Sequence, residues 1–155
     1  MRNLSFLFLV TTLALTAADF DAGLAAYQRG DYAAALQEWR PLAEQGHAAA
    51  AFNMGLLYYE GQGVPQDYTQ AVAWFTKAAN QDYLKAEYDL GAMYGIGKGV
   101  KRDYVQAYKW LNRCASKGDA KCAAQRDLVG KKLNASQRAT AERMSADIGP
   151  GKEER

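Results

Sequence analysis

The chain has 155 residues, of which 49% are hydrophobic and 23% charged, and carries a formal net charge of +2. That length suits one domain with its own core, and the balance is that of a globular chain and not of a disordered one. So small a net charge gives no field that would favour nucleic acid or an acidic membrane, and basic residues cluster only at Lys98–Arg102 and Lys131-Lys132.

Residues 1–18 read as a signal peptide. Met1-Arg2-Asn3 is a short basic start, and Leu4–Leu15 is an apolar run too short to span a bilayer comfortably. Thr16-Ala17-Ala18 then places small residues at the −3 and −1 positions of a cut before Asp19. An uncleaved anchor is the other reading, opposed by the short run and by the acidic Asp19 that follows at once. No Cys stands at the cut for lipid attachment. Cleavage would remove one charge, Arg2, and change +2 to +1. No second hydrophobic run follows, so no membrane span is expected after cleavage, and the destination is exported, periplasmic or secreted.

Phe20–Gly30, with Ala22, Leu24, Ala26 and Tyr27, reads as a first inner helix and Asp31–Gln45 as its partner. Pro41 should kink that second helix. Asp31-Tyr32, Asp67-Tyr68 and Asp103-Tyr104 then recur at a constant step of 36 residues, and Ala35, Ala71 and Ala107 keep it. A fixed period of this size marks a solenoid of stacked supersecondary units. After Asp67, the residues Tyr68, Ala71, Val72, Phe75, Ala78 and Ala79 recur at the three-and-four spacing of one helical face. Asp67 and Asp103 suit N-caps, each with a Gln three residues on. Trp39 falls one place later in its unit than Trp74 and Trp110 do in theirs. These tryptophans, with Tyr32, Tyr68 and Tyr104, read as core or inter-repeat packing.

A second helix lies between, with copies at Ala48–Glu60 and Leu84–Ile96. Each has a glycine in its middle, Gly55 and Gly91, where Gly costs about 1 kcal/mol against Ala. A cost repeated at one place predicts close helix packing. Both copies end in Gly-x-Gly-Val, at Gly61–Val64 and Gly97–Val100, which stops a helix and turns the chain. Further on, Ala120–Gly130 has Arg126-Asp127 where the Leu-Gly pair would stand. Ser136–Ile148 reads as a final helix capped by Asn134 or Ser136, although Asn134-Ala135-Ser136 also has the form of a glycosylation acceptor. Residues 149–155 read as a disordered tail.

The string Ala86-x-x-x-Leu90-Gly91-x-x-Tyr94, then Gly97-x-Gly99-Val100, then Asp103 through Ala115, closely resembles the Sel1-like repeat, a relative of the tetratricopeptide repeat. The copy starting near His47 matches as well, with Met54 in place of Leu. The resemblance is strong over repeats at about 47–82 and 83–118 and weak over 20–46 and 119–147. It implies an all-α fold over 19–148, a right-handed α-solenoid of about eight helices in antiparallel hairpins. It also implies a non-enzymatic role in binding another protein.

Cys114 and Cys122 stand four residues either side of Gly118. If Gly118 is the tip of a helical hairpin, their side chains face across it at a separation a disulfide can bridge, and export would supply the oxidising compartment. Relatives with this spacing link the two helices of a repeat in the same way. Two Cys with no paired His lack a zinc ligand set, and no cofactor is expected.

Enzyme chemistry has little to draw on. The one His, His47, stands at a turn between helices, and neither an H-E-x-x-H nor a Walker motif is present. The resemblance leaves as alternatives an envelope enzyme of the penicillin-binding or β-lactamase kind, reported for cysteine-rich relatives, and a structural self-associating module. A binding groove is the leading expectation. If Ala51, Met54, Gly55 and Tyr58 pack, helical geometry leaves Phe52, Leu56 and Tyr59 on the concave side. The equivalent positions are Lys85 and Tyr88 in the next copy and Gln28 in the first. Gln28, Phe52, Leu56, Tyr59, Lys85 and Tyr88 are therefore the candidate contacts for a protein or peptide. The competing reading packs the aromatics between repeats.

Overall fold

The structure is a computed structural model that describes residues 18–147. The expected tail lies outside the described residues, and so does the expected signal peptide apart from Ala18. Among the described residues there are eight helices and no strand. They are α1 (Phe20–Gln28), α2 (Tyr32–Glu44), α3 (Ala48–Glu60), α4 (Tyr68–Asn80), α5 (Leu84–Ile96), α6 (Tyr104–Ser116), α7 (Ala120–Gly130) and α8 (Ala135–Ala146). From α1 to α7 each helix packs on the next, as a solenoid of helical hairpins requires.

The ends are set locally. Asp31, Asp67 and Asp103 are the N-caps of α2, α4 and α6, and their carboxylates accept from the backbone N–H three residues on at 3.1, 3.0 and 3.0 Å. Gly61 and Gly97 end α3 and α5 in the left-handed region, with φ of 68° and 74°. Helix α2 runs through Pro41 to Glu44. Asn134 caps α8 in a reciprocal box with Gln137.

The hairpins close at their glycines. A Cβ on Gly91 would lie 2.5 Å from Leu111 Cγ, and one on Gly55 would overlap the Phe75 ring. The same relation holds in the first unit, where a Cβ on Gly23 would overlap the Trp39 indole. Trp39, Phe75 and Leu111 each stand eight residues after their Asp cap. The displaced Trp39 is thus the counterpart of Phe75 and Leu111, and Glu38 occupies the place of Trp74 and Trp110. All three are buried, and the indole N–H of Trp39 donates to the Phe20 carbonyl at 3.2 Å.

Within the second strong unit a buried ion network joins the two helices. Glu87 on α5 is fully buried, and it accepts from Arg113 Nε of α6 at 2.7 Å and from Lys117 Nζ, at the C-cap of α6, at 2.6 Å. Asp82, in the turn before α5, meets the same two cations. At the far end α8 lies on α6: the Tyr108 hydroxyl donates to Glu142 at 3.2 Å and the Asn112 amide to Ser145 at 2.8 Å.

Two glycines on α5 give a controlled test. A Cβ on Gly95 would meet only Ala107 Cβ, at an ordinary 3.8 Å. Gly95→Ala is expected to be neutral or to stabilise by up to about 1 kcal/mol through helix propensity. Gly91→Ala is expected to destabilise by about 1–3 kcal/mol through overpacking against Leu111. Urea unfolding of the two variants checks the sign difference.

Candidate functional site

Helix α5 presents a stripe that the core does not use. Ala86, Leu90 and Met93 are buried in the core, and Gly91 lies against Leu111 of α6. Lys85, Tyr88, Asp89, Ala92 and Ile96 remain, at the spacing of one helical face. Depressions flank this stripe on both sides. Leu56, Tyr59 and Glu60 of α3 form the far wall of one, a cavity of about 200 Å³ floored by Phe75 and Met93. Gln125, Leu128 and Val129 of α7 form the far wall of another, of about 260 Å³. A third, of about 350 Å³, joins Phe52, Lys85, Tyr88 and Asp89 to Asp119 and Lys121. Ala92 and Ile96 border the first two, Tyr88 the second and third, and Asp89 the first and third. Together they make one surface running across α3, α5 and α7.

Four of the six residues expected to make a groove line these cavities as open wall: Leu56, Tyr59, Lys85 and Tyr88. Phe52 is a correction. It borders the third cavity but is only 7% exposed, and its ring packs inward, 5.3 Å from Phe75 of its own hairpin and 5.1 Å from Tyr83 before α5. Gln28 is exposed on α1 and lines none of the three cavities. Tyr59 has two roles. It walls the α3–α5 cavity, and it also sits edge-on to Tyr68 at 5.2 Å, with its hydroxyl accepting from Lys98 at 2.9 Å.

Sequence reasoning missed Asp89, Ile96 and Leu128. Ile96 and Leu128 are 66% and 54% exposed. The signal for Asp89 and Ile96 was their helical step from Lys85, at four and eleven residues. Burial among apolar walls pushes the Asp89 carboxyl up to about 6, against the pull of Lys85.

The other polar groups serve the fold. His47 caps α3, its Nδ1 accepting from the Ala50 N–H at 3.1 Å, and its ring stacks on Phe20. Cys114 and Cys122 are joined as a disulfide with Cα atoms 5.7 Å apart, linking α6 to α7. The Asp119 carboxylate beside them caps α7 through the Cys122 N–H at 2.9 Å, so that cluster has no spare donor set for a metal.

The family model of the Sel1 repeat matches residues 48–83 and 84–119. Among solved structures, the chain is similar to a protective antigen of uropathogenic Escherichia coli that displays an SLR fold. The identity is 34% and the TM-score 0.74, over 81% of this chain and 28% of that one. It is also similar to a Sel1 repeat protein from Oxalobacter formigenes, at 27% identity and TM-score 0.68, over 85% of this chain and 56% of the other. The chain therefore spans less than two thirds of either protein. A search of curated proteins finds no match.

The raised Asp89 value has a stability consequence. Its folded value lies above the unfolded carboxylate value of about 3.9. Proton binding therefore favours the fold: that contribution is complete below about pH 4 and lost as pH rises through about 6. Asp89→Asn is expected to stabilise the protein by about 1–2 kcal/mol near pH 7.5 and by little near pH 4. Thermal melts of both proteins across that range provide the check.

Proposed function

This chain is a Sel1 repeat protein, and we propose that it works outside the cytoplasm as a non-enzymatic adaptor or regulator that holds a segment of another protein across α3, α5 and α7. Sel1 repeat proteins generally mediate protein–protein interaction. The observation that carries the reading is where apolar surface is left uncovered. Among the described residues the exposed large hydrophobic side chains are Leu24, Ile96 and Leu128, and all three lie on inner helices, α1, α5 and α7. Ile96 and Leu128 border the same cavity, beside Tyr88. Exposed apolar and aromatic side chains gathered in a concave surface are the material of partner hot spots. A helical array supplies them on a rigid frame.

Two features support export. The Cys114–Cys122 disulfide suits an oxidising compartment. In addition, the Asp19 backbone N–H donates to the Glu38 carboxylate at 2.9 Å. Cleavage before Asp19 would turn that amide into an ammonium already facing an anion. A non-enzymatic role agrees with how Ser116 and Ser145 are used: their hydroxyls donate to the Arg113 and Glu142 carbonyls, one turn back.

Ile96→Asp and Leu128→Asp, both at exposed positions, are expected to change stability by no more than about 0.5 kcal/mol and to abolish capture of the partner from envelope extract. Capture unchanged in both variants would remove the groove from the account. N-terminal sequencing of the exported protein is expected to begin at Asp19.

A further inference from the structure

Two acids on α5, two residues apart, have opposite surroundings. Glu87 is buried against Arg113 and Lys117, so the fold supplies its counter-charge. Asp89, half-buried in the wall of the α3–α5 cavity, has only the through-space pull of Lys85: among the described residues its carboxylate makes no hydrogen bond or ion pair. The groups around it are Lys85 on its own helix, Tyr59 and Glu60 from α3, Phe75 from α4, and Asp119 and Lys121 at the start of α7. Lys85 and Lys121 are exposed and line the depression on the other side. The α3–α5 cavity itself holds two carboxylates, Glu60 and Asp89, and no cation, in walls of Leu56, Phe75, Met93 and Ile96. Desolvating a carboxylate without a partner costs stability, and no contact within the fold offsets that cost here.

We propose that Asp89 is the anchor for one Lys or Arg side chain of the bound partner segment, so that the groove recognises an apolar segment carrying a basic residue. This rests on the groove reading above and adds its chemical specificity. The cavity, at about 200 Å³, has room for one large side chain. The methylene stem of a Lys or Arg lies along Leu56 and Met93 while its cationic head meets Asp89, with Glu60 at the mouth. Apolar neighbours of that residue cover Ile96 and Leu128. Among the described residues the α5–α7 cavity is bordered by Lys132 and by no acid, so a basic residue placed there is repelled, and this fixes the direction in which the segment lies.

The test is selection of phage-displayed random twelve-residue peptides on the whole exported protein with its disulfide intact. Enriched peptides are expected to share one Lys or Arg flanked by apolar residues. A synthetic peptide of that consensus is expected to bind Asp89→Asn at least about 10-fold more weakly than the parent, a loss of about 1.4 kcal/mol. Its affinity for the parent is expected to fall between about pH 7.5 and pH 5, with a flat profile for Asp89→Asn. Enriched peptides that Ile96→Asp abolishes, but that lack a basic residue or bind Asp89→Asn equally well, would overturn the anchor and leave the groove standing. No enrichment, or binding indifferent to both Ile96→Asp and Leu128→Asp, would overturn the groove and the anchor with it.

Discussion

A glycine in the inner helix of each of the first three hairpins lets a large side chain of the outer helix lie on bare backbone. Gly23 receives Trp39, Gly55 receives Phe75 and Gly91 receives Leu111. Gly costs about 1 kcal/mol of helix propensity at such a site, and burial of the side chain that replaces the missing Cβ contact stabilises by roughly 1.5–3 kcal/mol. Packing thus wins over propensity, three times in register. The consequence reaches the candidate site. With Gly91 turned to α6 and Ala86, Leu90 and Met93 turned into the core, helical geometry leaves Lys85, Tyr88, Asp89, Ala92 and Ile96 together on an outward face. The scaffold contact therefore determines which residues of α5 make up the proposed docking face.

Electrostatics divides the same helix. The fold meets its own buried acid, Glu87, with Arg113 of α6 and Lys117 at its C-cap, and burial pushes that carboxyl up while Lys117 and Arg113 pull it down. Breaking such a pair by removing one partner is strongly destabilising, so this network holds the turn before α5 and the start of α5 to α6. The disulfide closes the next junction, α6 to α7. Asp89 receives no comparable support. A rigid frame with one under-compensated carboxylate on an apolar surface fits a site kept for an outside cation.

The array was legible in the sequence because its devices repeat. The Asp caps, the mid-helix glycines and the Gly-x-Gly-Val stops recur at fixed distances, and each has a local physical meaning. Trp39 was harder to read: its one-place shift looked like a lapse in register until its contact with Gly23 showed that it replaces Phe75 and Leu111. The site was half legible. Helical spacing put Leu56, Tyr59, Lys85 and Tyr88 on the face where the cavities lie, but it could not show that the Phe52 ring turns inward to pack on Phe75 and Tyr83. Leu128 was hidden by the loss of the repeat pattern in α7. Ile96, next to the Gly97 stop, read as a helix end, and its exposure is a tertiary property that no local signal carries.

The central claim is that the inner face of α3, α5 and α7 is the surface that meets the partner. Oxidative footprinting of side chains, with and without the captured partner, tests it most directly. The account predicts that bound partner protects Tyr88, Ile96 and Leu128 and leaves labelling of the outer helices α2, α4 and α6 unchanged. Protection confined to those outer helices, with Tyr88, Ile96 and Leu128 labelled as in the free protein, would contradict it.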